Sequence, residues 1–316
     1  MTSGSERHGL LLVDKRSGGT SHDVVRIARR ALSERKIGHC GTLDPNATGL
    51  LLLTVGRGTR LTRFLIQAPK VYEGEIQLGA ATDTYDAAGD VTFEGSTADL
   101  TADDVAGAMK EFEGPQHQLP PPYSAKKIGG RKYYELARRG EDFERQGKDV
   151  EIYEFEPCGA FGDPGSDRIA FRLSCSTGAY ARSLAHDLGE RLGCGGHLAT
   201  LRRLRIGSFE VQRAVDSERL ESVARGAEPL EVDELSSAWV PFDEIPLPFP
   251  RVAMDATQER RVTHGQTVLA PGIEAGEGDW VQLTDGRGRF LAVAMVSERI
   301  GDRGLAVVQP RIVFRQ

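Results

Sequence analysis

No stretch of this 316-residue chain is long and apolar enough to be a membrane helix: the longest apolar runs, at residues 10–13 and 50–53, fall far short of the roughly 18 residues needed. The opening segment, MTSGSERHG, lacks the apolar centre of a secretory signal, so a soluble, cytoplasmic protein is expected. Cysteine is scarce. Cys40, Cys158, Cys175 and Cys194 are scattered and form no C-x-x-C pair, which excludes a disulfide framework and leaves buried thiols as the expected state. Cys194-x-x-His197 is too small a set for a metal site. Also missing are a phosphate-binding G-x-x-x-x-G-K-[ST], a strand-linked G-x-G-x-x-G, an H-E-x-x-H and a G-x-S-x-G. Their absence removes the common signatures of nucleotide, dinucleotide, zinc-protease and serine-hydrolase chemistry.

What is present is ordinary in amount and unusual in arrangement. With 39% hydrophobic and 27% charged residues the composition is globular, and the length suits one large domain with an appendage or two domains. Forty basic and 46 acidic residues give a net charge of −6. The charges are segregated, however. Residues 123–139 hold six cations (Lys126, Lys127, Arg131, Lys132, Arg138 and Arg139) against Glu135 alone. Residues 83–113 hold nine acids against Lys110, and 216–244 hold nine against Arg219 and Arg225. Screening confines each patch's influence to about a Debye length, so an acidic protein can still present a basic face to a nucleic acid.

Periodicity outlines an α/β chain. Residues 9–13 read as a buried strand, and Thr20-Ser21 caps a helix with Val24, Ile27, Ala28, Ala31 and Leu32 on one face. Residues 50–55 read as a buried strand or helix segment and 72–78 as a strand. A helix is expected over 103–112, an extended proline loop over 118–124, a strand over 171–175 and a helix over 180–192. From about Pro246 the texture becomes that of a small all-β module. Residues 280–283 and 290–296 flank Asp285-Gly286 as a hairpin, with further strands at 307–308 and 312–314.

The most distinctive local sequence is Gly38-His39-Cys40-Gly41-Thr42-Leu43-Asp44-Pro45-Asn46-Ala47-Thr48-Gly49, a glycine-bounded turn segment with one carboxylate. It resembles the start of a calcium loop, but Val55 stands where the bidentate Glu is required. An Asx-turn carboxylate is the simplest local reading of Asp44. A nucleophile would need a cation to keep it ionised and placed, for which Arg182 is a candidate; otherwise Arg182 is a solvated helix arginine. Tyr72 and Tyr180 suit either stacking on a planar substrate or half-buried packing, and His39 either ligand contact or plain surface. The basic run with Tyr123, Tyr133 and Tyr134 suits a nucleic-acid clamp or a solvated helix over 133–139. Spacing alone leaves an α/β enzyme or an RNA binder.

Several segments in order resemble the bacterial tRNA pseudouridine-55 synthases of the TruB type. They are Gly9-Leu-Leu-Leu-Val-Asp-Lys15 with Thr20-Ser21; Gly41-Thr42-Leu43-Asp44-Pro45-x-Ala47-Thr48-Gly49; and Lys70-x-Tyr72-x-Gly74 with Thr82-Asp83-Thr84-x-Asp86. Gln118-x-Pro120-Pro121, Tyr123-Ser124-Ala125-x-Lys127 and Gly130-Arg131 follow, then Gly178-x-Tyr180-x-Arg182 and Leu201-Arg202-Arg203. Thr177, Ala179 and Ala181 depart from the family's usual lysine, threonine and isoleucine, and Asn46 from its apolar residue. The resemblance implies a mixed-sheet α/β (α+β) catalytic domain over 1–245 with an RNA-gripping insertion at about 118–145. A PUA-like RNA-binding domain would follow over 246–316. It implies isomerisation of uridine to pseudouridine at position 55 in the T loop, after base flipping, with no cofactor or metal. Asp44 would be the nucleophile, Arg182 its ion-pair partner and Tyr72 the ring against the base. Tyr180 and Leu201 would be pocket contacts, and His39, Lys127 and Arg131 RNA contacts. The expected partner is the tRNA T arm, and the expected enzyme a cytoplasmic monomer needing no protein partner. A non-catalytic tRNA-binding or folding protein and a guide-RNA-dependent synthase are the alternatives.

Overall fold

The structure, a computed structural model, describes residues 7–124, 127–128, 131–133, 144–159, 167–226, 236–301 and 304–314. Eight strands form the backbone of the larger sheet: β1 (Gly9–Lys15), β2 (Thr48–Val55), β3 (Lys70–Leu78), β4 (Gly114–Gln118), β5 (Lys148–Pro157), β6 (Arg168–Cys175), β7 (Gly196–Ile206) and β8 (Val215–Asp216). Their spatial order is β8-β1-β2-β7-β3-β6-β5-β4. The sheet is mixed: β8 runs parallel to β1 and β7 parallel to β2, while the other neighbours are antiparallel.

β1 and β2 are buried on both faces, which explains their unbroken apolar runs. Leu10, Leu12, Leu50 and Leu52 face one cluster, with Phe64, Phe242, Phe290 and Phe314. Leu11, Val13, Leu51 and Leu53 face another, completed by Val24, Val25 and Ala28 of helix α1 (Ser21–Ala31). Thr20 starts α1 in a reciprocal capping box with Asp23, as the Thr-Ser signal predicts. A third cluster packs Ile76, Phe155, Phe171 and Leu173 against helices α2 (Ala102–Lys110) and α3 (Ala181–Arg191).

The expected elements are present with shifted ends. The segment at 50–55, open between strand and helix, is the strand β2. β5 and β7 lie where the sequence pattern predicts no strand. Toward the C-terminus, β9 (Arg251–Ala253), β10 (Val268–Ala270), β11 (Trp280–Thr284), β12 (Phe290–Ile300) and β13 (Leu305–Val313) form a second sheet in the order β9-β11-β12-β13-β10. The hairpin at Asp285 is as expected, but 307–308 and 312–314 belong largely to the one strand β13. This β module also carries one short helix, α4 (Ala256–Thr263). Of the basic insertion, residues 125–126, 129–130 and 134–143 lie outside the described residues, and with them most of the helix expected at 133–139.

Candidate active site

Asp44 sits between a short strand at Ile37–His39 and β2, in a loop held on both sides of the carboxylate. Arg203 on β7 donates through Nη2 to Gly41 O at 3.2 Å, through Nη1 to Thr42 O at 3.4 Å and through Nε to Leu50 O at 2.7 Å. The Ser21 hydroxyl accepts from Leu43 N at 2.9 Å and donates to Leu43 O at 3.2 Å. Beyond Asp44, Lys15 Nζ donates to Pro45 O at 3.0 Å and Ala47 O at 2.7 Å. Burial pulls the Lys15 ammonium down to about 8, although Asp44 acts against the fall. Gly49 closes the loop at φ +98°, where a Cβ would stand 2.2 Å from Arg203 O; the β2–β7 pairing therefore requires glycine.

Arg182 reaches this loop from the first turn of α3. Its Nε lies 3.0 Å from Asp44 Oδ2 and its Nη2 donates to Asp44 Oδ1 at 3.2 Å, a forked pairing. Nη1 donates to Tyr123 O at 3.0 Å and Thr84 O at 3.2 Å and lies 3.4 Å from Asp86 Oδ2. The residue is 6% exposed, so the solvated-helix reading is wrong: backbone oxygens and two carboxylates line its buried seat. The Asx-turn reading of Asp44 also fails, because the carboxylate is turned to Arg182 while the turn is closed by the main chain, Ala47 N to Asp44 O.

Asp44, Arg182, Tyr72, Tyr180 and Leu201 line one cavity of 390 Å³. Tyr72 comes from β3 and Leu201 from β7. Tyr180 stands just before α3, where Gln118 grips its main chain, donating to Tyr180 O at 3.0 Å and accepting from Tyr180 N at 2.7 Å. Burial pushes both tyrosine hydroxyls up from their ordinary value, so they remain neutral donors near pH 7. Thr177 is on the same rim, and its carbonyl accepts from Lys148 Nζ at 3.1 Å, so an ammonium stands there although residue 177 carries none.

His39 is not in this lining. It packs edge-on against His22 at 5.5 Å, and burial, with help from His22, lowers its basicity, which corrects the plain-surface alternative. Lys127 and Arg131 belong to a two-residue ladder in the insertion; Arg131 is exposed and does not join the cavity. Lys15, Lys70, Asp86, Gln118 and Arg203, and Ser21 beyond its place at the start of α1, carry no sequence signal for a place at this site other than membership in the quoted motifs. Cys194 and His197 bond separate carbonyls, Gly195 O and Ala80 O. Among the described residues, His186, Asp187 and Glu190 gather ligand atoms within 4.8 Å of one another. A larger cleft of 760 Å³ lies between Phe64, Phe249 and Trp280 and contains none of the candidate site residues.

Family models match consecutive stretches of the chain: the TruB family pseudouridylate synthase N-terminal domain over 29–181, a tRNA pseudouridylate synthase B C-terminal domain over 182–245, and a pseudouridine synthase II TruB C-terminal model over 250–300. The curated tRNA pseudouridine synthase B of Solibacter usitatus is 42% identical over 289 residues, 91% of this chain and 95% of its own. That of Aromatoleum aromaticum is 40% identical, covering 90% of this chain and 87% of its own. Among solved structures, an H/ACA ribonucleoprotein bound to a substrate RNA containing 2′-deoxyuridine has a similar fold, with TM-score 0.73 at 23% identity over 98% of this chain and 86% of that one. An archaeal box H/ACA complex matches at TM-score 0.71 and 25% identity, over 98% and 87%. The mixed sheet and its family matches define a pseudouridylate synthase. The chain belongs to the TruB family.

Proposed function

We infer that the chain isomerises uridine to pseudouridine in tRNA, at position 55 in the T loop, with Asp44 as nucleophile. The observation that carries this reading is the forked Arg182–Asp44 pair on a cavity shared with Tyr72, Tyr180 and Leu201, in a chain of this family. A base stacked in a folded loop must first be extruded, at a cost of a few kcal/mol. Tyr72 and Leu201 flank the flipped base and Tyr180 closes its pocket. Asp44, kept ionised and aimed by Arg182, attacks; the uracil is freed from N1, turned and rejoined through C5. No redox carrier or metal is called for, since the product is an isomer of the substrate.

His39 enters the RNA loop, and Lys127 and Arg131 of the insertion hold phosphates. The six-to-one excess of cations over acids in 123–139 supports the latter. Residues 1–245 are the catalytic domain, with the grip at about 118–145, and 246–316 a PUA-like domain that adds RNA affinity. The enzyme acts in the cytoplasm as a monomer without a protein partner; no helix among the described residues is long and apolar enough to cross a membrane.

The test is tritium release from 5-tritiated uridine in bare tRNA by the purified chain. Release confined to position 55 is expected. Binding without release would favour the RNA-folding alternative, and release only on addition of a guide RNA the guide-dependent one.

A further inference from the structure

We propose that Lys70 and Arg203 form a cationic floor of the active-site cavity that takes up the negative charge of the base while its bond to ribose is rearranged. This rests on the Asp44-centred reading and extends it to the other side of the substrate.

The two cations are placed by strand geometry. On β3, Lys70 and Tyr72 are two residues apart and so share a face; on β7, Leu201 and Arg203 do the same. The strands are paired, with Arg203 opposite Tyr72. All four residues line the cavity that holds Asp44. If Tyr72 and Leu201 take the faces of the base, its oxygen-bearing edge meets the two cations.

Both cations are deeply buried, Arg203 at 1% exposure and Lys70 at 4%, whereas the Asp44 side chain at 43% is open. The sugar and phosphate of a flipped nucleotide stay toward the open side, so the base goes deeper. Among the described residues no carboxylate pairs with either cation. Main-chain oxygens of Gly41, Thr42 and Leu50 hold Arg203, which also bonds the Tyr72 hydroxyl, and those of Ile66 and Ala68, at 2.8 and 2.6 Å, hold Lys70. At most four of the five guanidinium N–H groups and two of the three ammonium N–H groups are thus committed, which leaves a donor on each for a ligand. Two buried cations without carboxylates are a costly arrangement, and it is concentrated in the cavity.

Either route of attack makes the base anionic. If the N1–C1′ bond breaks, its electron pair leaves with the uracil and is shared by N1, O2 and O4. If Asp44 adds to C6, the C5–C6 pair moves toward O4. When the C5–C1′ bond has formed, C5 gives up its proton and N1 gains one, so the product is neutral and no atom is gained or lost. A floor that favours the transient charge over both neutral ends lowers the barrier and not merely the binding free energy.

Burial, reinforced by Arg203, brings Lys70 down to about 8. The other groups acting on it are Cys40, Cys175 and Lys148; burial pushes both thiols up to about 12, so they stay neutral through this range. Single-turnover rates at saturating RNA are therefore expected to fall as pH rises through about 8 in the unaltered enzyme. Lys70→Arg should keep most of the activity and move that fall to higher pH. Lys70→Met should lower the rate constant about a hundredfold, with RNA affinity within about threefold of the parent. Cleavage of 5-fluorouridine, a better leaving base, should suffer less from Lys70→Met than cleavage of uridine. A parental rate in Lys70→Met overturns the proposal, as does an alkaline limb unchanged by Lys70→Arg in a Lys15→Arg background, which removes the other ammonium that burial brings down to about 8. If Lys70→Met does not fold, a flat profile across pH 8 in the unaltered enzyme overturns it equally. An active Asp44→Asn enzyme would instead overturn the nucleophile and leave the Lys70 profile standing.

Discussion

Arg182 and Asp44, 138 residues apart in sequence, meet through two nitrogens and two oxygens, with the arginine side chain 7% exposed and the aspartate 43%. The cation is fixed in the protein while its anion faces the opening. Such asymmetry suits a carboxylate that must be both held and available.

Asp44→Asn keeps the size of the side chain and part of its hydrogen bonding but removes the anionic oxygen that the proposed nucleophile needs. RNA should still bind while tritium release falls by more than about a thousandfold, because a covalent or ion-stabilising step has no substitute. Residual activity within about tenfold of the parent, with deamidation excluded by mass spectrometry, would contradict the assignment.

Arg182→Lys retains the charge and loses the planar fork, which here also serves Thr84 O, Tyr123 O and Asp86. A fall in kcat of about a hundredfold is expected, with a smaller change in KM. Equal activity would show that charge alone suffices.

Ser21 is fully buried and its hydroxyl meets both main-chain groups of Leu43, the neighbour of Asp44. Ser21→Ala leaves that N–H and carbonyl without this partner, at about 1–3 kcal/mol of stability. Since Asp44 then loses one of its fixed neighbours, single-turnover rate should drop about tenfold with little change in RNA affinity. A melting curve and a rate measurement on the same preparation decide it.

Burial, assisted by Glu190, raises the Asp187 carboxyl from its model-compound value of 3.8 to about 6. The folded chain therefore binds a proton more tightly than the unfolded one between these values, so this group's contribution to stability falls as pH rises from about 4 to 6. Asp187→Asn removes the penalty. It should stabilise the protein at pH 7 by about 1–2 kcal/mol and have little effect at pH 4, as measured by denaturant unfolding. A gain equal at both pH values would assign it to packing instead.

Phe314 is 1% exposed, with ring centroids 4.8 Å from Phe242 and 4.9 Å from Phe290. Phe314→Ala should cost about 3–5 kcal/mol. The loss should appear in the unfolding of the whole chain, since this cluster also contains Leu10, Leu12 and Leu52. A separate low-temperature transition would show that the C-terminal sheet melts alone.

The sequence made the apolar strands and capped helices readable because their signals are local: four consecutive core residues in β1, a Thr-x-x-Asp cap before α1. β5 and β7 escaped for a physical reason. Each carries bulges, between Ile152 and Glu154 in one and at Leu198/Thr200 and Arg203/Arg205 in the other, and a bulge breaks the alternation that marks a strand. Asp44 and Arg182 could be singled out as a carboxylate in a glycine-bounded loop and a helix arginine, but only the family motifs joined them. Lys15, Lys70 and Arg203 were illegible because a buried cation is exceptional by residue type. It is made tolerable by carbonyls from distant segments, which composition and periodicity do not reveal.

One of the hydrophobic clusters does not respect the boundary between the two sheets. Phe290, Val293 and Ile312 of the C-terminal sheet, with Phe314 just beyond it, share it with the leucines of β1 and β2, and Arg60 reaches across to Val313 O at 2.5 Å. The two sheets are thus joined as one stiff body and not strung on a tether. A stiff body works as a gauge: if the far sheet grips one end of an RNA, the span from that grip to Asp44 is preset, and a stem of the wrong length would bring the wrong nucleotide to the cavity, whatever its sequence.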